Sequence, residues 1–349
     1  MGKITDIAEI LAAELAAGKY PPGARFPSEY ELAERFGVGR VTVNKAVSML
    51  VSAGRLERGV RGSGTRVRAR NVYPRKHVVY LGNFTHPFFA RVLHGVCAAA
   101  FFRDYGVESA IPDLASLAGY LDKVCASNHY AGIITNGYSM LDPERWPVPV
   151  VYVDTCNPEY DPACFHVANR NYEGARRLAE AVLAHGHREI AVYTNCDYLS
   201  SHRYYRVNGF LDALRAAGID RVEERLFVGM NYSTFDAAAV LGEIRSRFPE
   251  TTVIMTPTDN LAQVICQVLL KEGSSDICVT GFGNVTGISD VYGIAGADQH
   301  PFHLGTEACN MLLDLYEGKL DRSVNIRYVD VEPVNLNAIP KISRKRSEA

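Results

Sequence analysis

The chain has 349 residues, 47% of them hydrophobic and 22% charged, with a formal net charge of −2. This is an ordinary soluble composition, long enough for two or three domains. No run of 18 apolar residues exists to span a bilayer, and the N-terminus carries no apolar core of signal-peptide type, so a cytoplasmic protein with no membrane partner is expected. The eight cysteines never form Cys-x-x-Cys and never sit beside clustered histidines. No metal site, redox site or cofactor is therefore expected.

The near-zero charge hides an asymmetry. Residues 1–76 hold 14 Lys+Arg against 7 Asp+Glu, a net of +7, and residues 77–349 hold 23 against 32, a net of −9. A small basic head on an acidic body fits phosphate contact by the head alone.

In the head, Ile4, Ile7, Ala8, Leu11 and Leu15 recur at helical spacing and predict a first amphipathic helix ending near Gly18. Pro21-Pro22-Gly23 is a hard turn. Ser28 with Glu31 three residues on is a capping box that opens a second short helix, which Gly37 ends. A third helix starts near Arg40, with Val43, Ala46, Val47 and Leu50 as its buried stripe. That spacing turns Arg40, Val41, Asn44, Lys45 and Ser48 outward. Two short helices joined by a tight Gly-containing turn are helix-turn-helix geometry, whose second helix enters the major groove. Beyond Gly54, a Gly-rich hairpin over 56–67 lies in a stretch, residues 55–70, with six arginines and one acid. It reads as a wing that reaches phosphates beside the recognition helix.

The body alternates strands and helices. Strands are expected at 77–81, 131–135, 150–154, 189–194, 252–255 and 277–281, and helices at 88–102, 114–127, 172–185, 204–217, 236–248 and 261–270. The expected fold class is therefore α/β: a small winged helix-turn-helix domain plus a two-lobed body with parallel sheets. The boundaries are expected at 1–68 for the head, 69–76 for a linker, 77–340 for the body and 341–349 for a basic, disordered tail. Ligands in such sheets sit beyond the carboxyl ends of strands, where Asp154, Asp259 and Asn284 fall. The glycines of Gly281-Phe282-Gly283 and Gly287 lack dinucleotide-loop spacing, and no nucleophile elbow, phosphate loop or metal-ligand pair appears. No catalytic residue is assigned, and an enzyme is not expected.

The head resembles the GntR family of winged helix-turn-helix regulators. The resemblance rests on Pro22-Gly23, Arg25-Phe26-Pro27-Ser28-Glu29, Glu31-Leu32-Ala33, Phe36-Gly37-Val38, Arg40-Val41-Thr42-Val43, Ala46, Leu50, Gly54 and Gly62-x-Gly64-Thr65. It implies DNA contacts at Arg25, Arg40 and Thr42 and at the wing residues Arg61, Gly62 and Ser63. Ser28, Glu29, Val41, Asn44 and Lys45 complete the candidate surface. Tyr30 stands where the family usually has Arg, Gly39 where it has Ser or Thr, and Asn44 where it often has Arg. Asn44 could read an adenine where an Arg would read a guanine.

The body is similar to the effector domain of LacI-family repressors, which have the periplasmic sugar-binding-protein fold. The matching segments are His86-Pro87-Phe88-Phe89, Gly132-Ile133-Ile134, Val151-x-Val153-Asp154, Gly186-His187-Arg188, Arg206-x-x-Gly209-Phe210, Thr258-Asp259-Asn260 and Gln299-x-Pro301. Here Arg170 precedes Asn171 where Asp-Asn is usual, and Gly283-Asn284 stands where Asp-Asp is frequent. A GntR head on a LacI-type body resembles the arabinose-responsive repressors. The resemblance implies Arg206 and Asp259 as a pair bridging sugar hydroxyls, Asp154, Asn284 and Gln299 as further polar contacts, and Phe88, Phe89 and Tyr232 as stacking walls. Only one of Phe88 and Phe89 is expected at the ligand, the other in the core. The expectation is a homodimeric, DNA-binding transcriptional repressor on double-stranded operator DNA, controlled by a monosaccharide. A purine or phosphorylated effector, a sugar-binding receptor and an α/β enzyme are the alternatives.

Overall fold

The structure is a computed structural model that describes residues 3–16, 18–52, 55–59, 64–68, 76–138, 141–142, 144–154, 164–195, 204–284, 288–321 and 323–342. The wing residues Arg61, Gly62 and Ser63, residues 69–75 of the expected linker and residues 343–349 of the expected tail lie outside the described residues. The chain divides into two compact units, Met1–Arg75 and Lys76–Ala349.

In the first unit, α1 (Lys3–Ala16), α2 (Glu29–Phe36) and α3 (Arg40–Ser52) pack around one core. The expected capping box opens α2: Glu31 N donates to Ser28 Oγ at 3.3 Å, and Ser28 N donates to Glu31 Oε2 at 2.6 Å. Gly37 ends α2 at φ 60, a left-handed position that a Cβ would strain. Val43, Ala46, Val47 and Leu50 of α3 are all buried, together with Ile7, Leu11, Phe26 and Leu32. The strands β1 (Leu56–Arg58) and β2 (Thr65–Val67) pair antiparallel. The turn before α2 joins them, Phe26 N donating to Thr65 O at 2.8 Å and Val67 N to Ala24 O at 2.9 Å. This is a winged helix-turn-helix.

The second unit has two lobes. Lobe one is a parallel six-stranded sheet of β3 (His77–Leu81), β4 (Gly106–Ala110), β5 (Tyr130–Thr135), β6 (Val150–Val153), β7 (Phe165–Asn169) and β13 (Ile326–Val329), in the order β13-β7-β6-β5-β3-β4. Helices α4 (Pro87–Phe102), α5 (Leu114–Ala126) and α11 (Pro301–Tyr316) cover it. Helices α4 and α11 meet backbone to backbone. A Cβ on Gly95 would stand 2.0 Å from the Phe302 carbonyl oxygen, and one on Gly305 would stand 1.9 Å from that of Val92.

Lobe two has β8 (Ile190–Asn195), β9 (Leu226–Gly229), β10 (Val253–Met255) and β11 (Cys278–Thr280) in the parallel order β11-β10-β8-β9. Bridges from Thr280 to Ala295 and from Gly283 to Asp298 extend it to β12 (Gly296–Asp298), which pairs antiparallel with β14 (Glu332–Val334). Helices α6 (Asn171–Ala184) and α7 (Tyr204–Ala216) pack on one face, and α8 (Thr234–Arg247), α9 (Asp259–Glu272) and the short α10 (Ile288–Tyr292) on the other. The chain crosses between lobes three times: from β7 to α6, from β12 to α11 and from β13 to β14.

The alternation of strands and helices matches the expectation to within a residue or two at most ends. Helices α10 and α11 and strands β4, β7, β9, β12, β13 and β14 were not anticipated. No helix of the described residues is long and apolar enough to cross a membrane.

Candidate functional site

Two faces carry the candidate residues, and they belong to separate units. On the head, Arg25 is exposed in the turn before α2, and on the side of α3 away from the core Arg40, Val41 and Lys45 are exposed and Thr42 and Asn44 half-exposed. Arg25 lies against the wing, bridged to Arg66 of β2. Arg40 Cζ sits 3.9 Å from the centre of the Tyr30 ring. Asn44 Nδ2 donates to Glu29 Oε1 at 2.5 Å, and Glu29 in turn lies 3.8 Å from Arg58 of β1. Arg58 also donates to Ser48 Oγ at 2.9 Å. Ser28 and Glu29 are thus engaged within the head: one caps α2, the other ties α2 to α3 and the wing.

The head is clamped from behind. Glu14 of α1 accepts Arg35 Nη1 at 2.8 Å, Lys19 Nζ at 2.7 Å and the Tyr20 hydroxyl at 3.1 Å. The Arg35 guanidinium, then the Lys19 ammonium, hold its carboxyl down at about 2.

In the body, residues of both lobes line a cavity of about 230 Å³. Asn83, His86, Phe88, Phe89 and Asp154 come from lobe one, and Arg206, Tyr232, Thr258, Asp259, Asn260, Phe282 and Gly283 from lobe two, with Gln299 on the crossing. The polar groups are deeply buried: Arg206, Asp259 and Gln299 are 3%, 2% and 3% exposed, and Asp154 is 7% exposed. Burial in this quantity demands hydrogen bonds. Arg206 donates from Nε to Asn171 Oδ1 at 3.0 Å and from Nη1 to the Pro257 carbonyl at 2.9 Å, while its face lies 4.3 Å from the Phe282 ring centre. Gln299 Nε2 donates to Asn171 Oδ1 and to Asn169 Oδ1, each at 3.2 Å. Asn169 Nδ2 donates to the carbonyls of Gln299 at 2.8 Å and Val329 at 3.4 Å. One amide network therefore joins all three crossings and opens onto the cavity.

Local sequence sets each group in place. Asp154 follows β6 at φ 54, a left-handed conformation that Asp tolerates better than most residues. Asp259 opens α9 behind the Thr258 cap, its backbone N–H donating to the Phe282 carbonyl at 3.0 Å. The Asp259 carboxylate also lies over Gly281, where a Cβ would stand 2.3 Å from Oδ1. Phe88 and Phe89 pack edge to face, ring centres 5.1 Å apart, at the start of α4, and His86 caps that helix through Nδ1. A cluster of two aromatic rings, two carboxylates and a guanidinium in a small cleft can bind a polyhydroxylated ring.

The cavity gathers seven of the eight expected effector residues: Phe88, Phe89, Asp154, Arg206, Tyr232, Asp259 and Gln299. Both phenylalanines line it, where only one was expected. Tyr232 is 40% exposed and stands at the rim. Asn284 is not among the lining residues; its Nδ2 donates to Asp298 Oδ2 at 2.7 Å, beside the β12 crossing. Asn83, His86, Thr258, Asn260, Phe282 and Gly283 went unassigned, although most belong to the very segments that marked the site. Asn171, the shared acceptor of Arg206 and Gln299, gave no signal beyond its place after Arg170.

Comparison with known proteins agrees with this geometry. A family model described as bacterial regulatory proteins of the gntR family matches residues 3–67, and one described as periplasmic binding proteins and sugar binding domain of LacI family matches residues 77–326. The body belongs to the LacI sugar-binding family, and the head is a GntR DNA-binding domain. The arabinose metabolism transcriptional repressor of Geobacillus stearothermophilus is 23% identical over 345 residues, covering 90% of this chain and 91% of its own. The HTH-type transcriptional repressor NagR of Bacillus subtilis (strain 168) is 33% identical over 113 residues, covering 32% of this chain and 44% of its own. The structure of a transcriptional regulator CelR–cellobiose complex superposes with a TM-score of 0.62 at 20% identity, covering 88% of this chain and 98% of that one. A GntR head joined to a LacI-type effector body makes the chain a ligand-controlled DNA-binding transcriptional regulator.

Proposed function

We propose that the chain is a homodimeric repressor, acting in the cytoplasm, whose hold on double-stranded operator DNA is set by a monosaccharide bound in the cleft without turnover. The observation that carries the reading is the cavity itself. Its volume of about 230 Å³ falls below the roughly 300–1,000 Å³ of sites for drug-sized ligands, which favours one sugar ring over two. Arg206 and Asp259 bridge neighbouring hydroxyls, Asp154 and Gln299 take others, and Phe88, Phe89 and Tyr232 wall the apolar side of the ring. Each charged hydrogen bond contributes about 1.5–3 kcal/mol. Operator contacts fall to Arg25, Arg40, Val41, Thr42, Asn44 and Lys45, and to Arg61, Gly62 and Ser63 at the wing. The dimer is supported by exposed apolar side chains near the edge strands of both lobes: Phe102 and Leu114 at 84% and 83%, and Met230 and Phe235 at 70% and 86%.

The test is thermal unfolding of the purified chain against pentoses, hexoses, their phosphates and purines. A ligand at a hundred times its dissociation constant adds about 2.7 kcal/mol of stability. The expected result is a selective shift from one free monosaccharide, which also changes affinity for the DNA upstream of the chain's own gene. A shift from a purine or a phosphorylated sugar alone would overturn the effector assignment. Sedimentation of the same sample as a monomer would overturn the dimer.

A further inference from the structure

The head departs from its family at Tyr30, and the structure gives that departure a task. Tyr30 is the second residue of α2 and is 66% exposed, so no core demands its ring. The ring nevertheless lies under the first side chain of α3, with Arg40 Cζ over it 3.9 Å from its centre, a separation that suits a stacked guanidinium. Stacking occupies the face of a guanidinium and leaves the in-plane N–H donors free to point elsewhere. Those donors are the ones that read the O6 and N7 acceptors of guanine in the major groove. The neighbouring residue, Glu29, holds Asn44 one helical turn along α3 through a 2.5 Å hydrogen bond. The first two residues of α2 thus each orient one member of an i, i+4 pair on the outward face of α3.

We propose that Tyr30 is a positioning residue for base reading: its ring carries the Arg40 guanidinium edge-on to the groove and sets a preference for guanine at one position of each half-site. The inference rests on the operator-binding reading above. It assigns Tyr30 no direct contact with DNA, and it leaves the reading at Asn44 to Glu29.

The experiment starts by selecting duplexes from a random-sequence library with the full-length wild-type chain. Affinities of wild type, Tyr30→Phe and Tyr30→Ala are then measured on the selected duplex and on versions with each base pair replaced, across a salt series. The Phe variant keeps the ring and should match wild type. The Ala variant should bind the selected duplex about two- to fivefold more weakly, the range of an exposed cation–π contact. Its loss should appear as lost discrimination at a single G·C pair, the same pair that Arg40→Ala makes indifferent. The salt dependence should not change, because no phosphate contact is removed. Equal weakening by Phe and Ala would overturn the proposal, since the hydroxyl and not the ring would then matter. So would an Ala variant that discriminates like wild type, or one that weakens every duplex equally. If the wild-type chain selects no sequence, the operator-binding reading itself falls, and this inference falls with it.

Discussion

The head and the cleft solve the problem of holding a functional side chain in opposite ways. On the head, the candidate DNA-contact groups stay partly in water and lean on other surface side chains: Arg40 on Tyr30 and Asn44 on Glu29. In the cleft, Arg206, Asp259 and Gln299 are almost wholly buried, and the first and last are fixed through Asn171. The difference follows from the partner that each is proposed to take. A duplex comes to the surface and supplies its own charge, so the side chains that meet it can stay solvated until contact. A small neutral ligand offers only hydroxyls, and binding it tightly requires polar groups already desolvated and aimed. Loss of a head residue should therefore weaken binding and spare the fold, whereas loss of a cleft residue should damage both.

The largest effect is expected at Arg206. Arg206→Ala takes one of the two donors from Asn171 Oδ1, leaving Gln299 Nε2, and removes the Nη1 donor from the buried Pro257 carbonyl, so stability should fall by about 3 kcal/mol and the sugar-induced thermal shift should vanish. A melting curve like wild type, with the shift intact, would break the comparison. Next comes Asn171, which is not among the residues lining the cavity. Asn171→Leu should weaken the sugar by roughly tenfold or more, and Asn171→Asp, which keeps an acceptor for both donors, should recover most of it; calorimetric titration distinguishes them. At Arg40, Ala should weaken the selected duplex by roughly 1–3 kcal/mol in a binding assay while the melting temperature stays within a degree or two.

The smallest effect concerns acid. Glu14 is held at about 2 against an ordinary 4.5, so its pairing with Arg35 supports the head fully above pH 4.5 and is lost as pH falls toward 2. Its surface setting limits the gain to less than about 1 kcal/mol. Acid unfolding of Glu14→Gln should be flatter than wild type over that window, and an identical pH profile would show that the clamp contributes nothing.

The same contrast explains what could be read from sequence. The head's capping box, the Gly37 stop and the stripe of Val43, Ala46, Val47 and Leu50 are local signals, each complete within a few residues, and the structure has all of them. The cleft was legible as positions, because Asp154 and Asp259 follow strands whose ends define it. Its hydrogen bonding was not, because Asn171 and Gln299 meet across 128 residues. Asn284 was drawn in by the same strand-end logic, yet its amide goes to Asp298. Helix α11 escaped because nine of its sixteen residues are buried, which blurs the polar face that periodicity needs. Strand β7 buries His166 and Asn169 among its five residues, and polar side chains at buried positions break up the apolar run that marks a strand.

Helix α11 also bears on synthesis of the chain. It fills the core of lobe one, with Leu304, Ala308, Met311 and Leu312 packed among Val92, Val96 and Ala100 of α4, yet lobe two is encoded between them. At about 5–20 residues per second on the ribosome, the 131 residues from 170 to 300 delay its arrival by roughly 7–26 s. Throughout that interval the apolar side of α4 has no helical partner to cover it. The nascent chain should therefore carry a DNA-reading head that is already finished while its sensory half still depends on a holdase, and chains released before residue 316 should be the ones that aggregate.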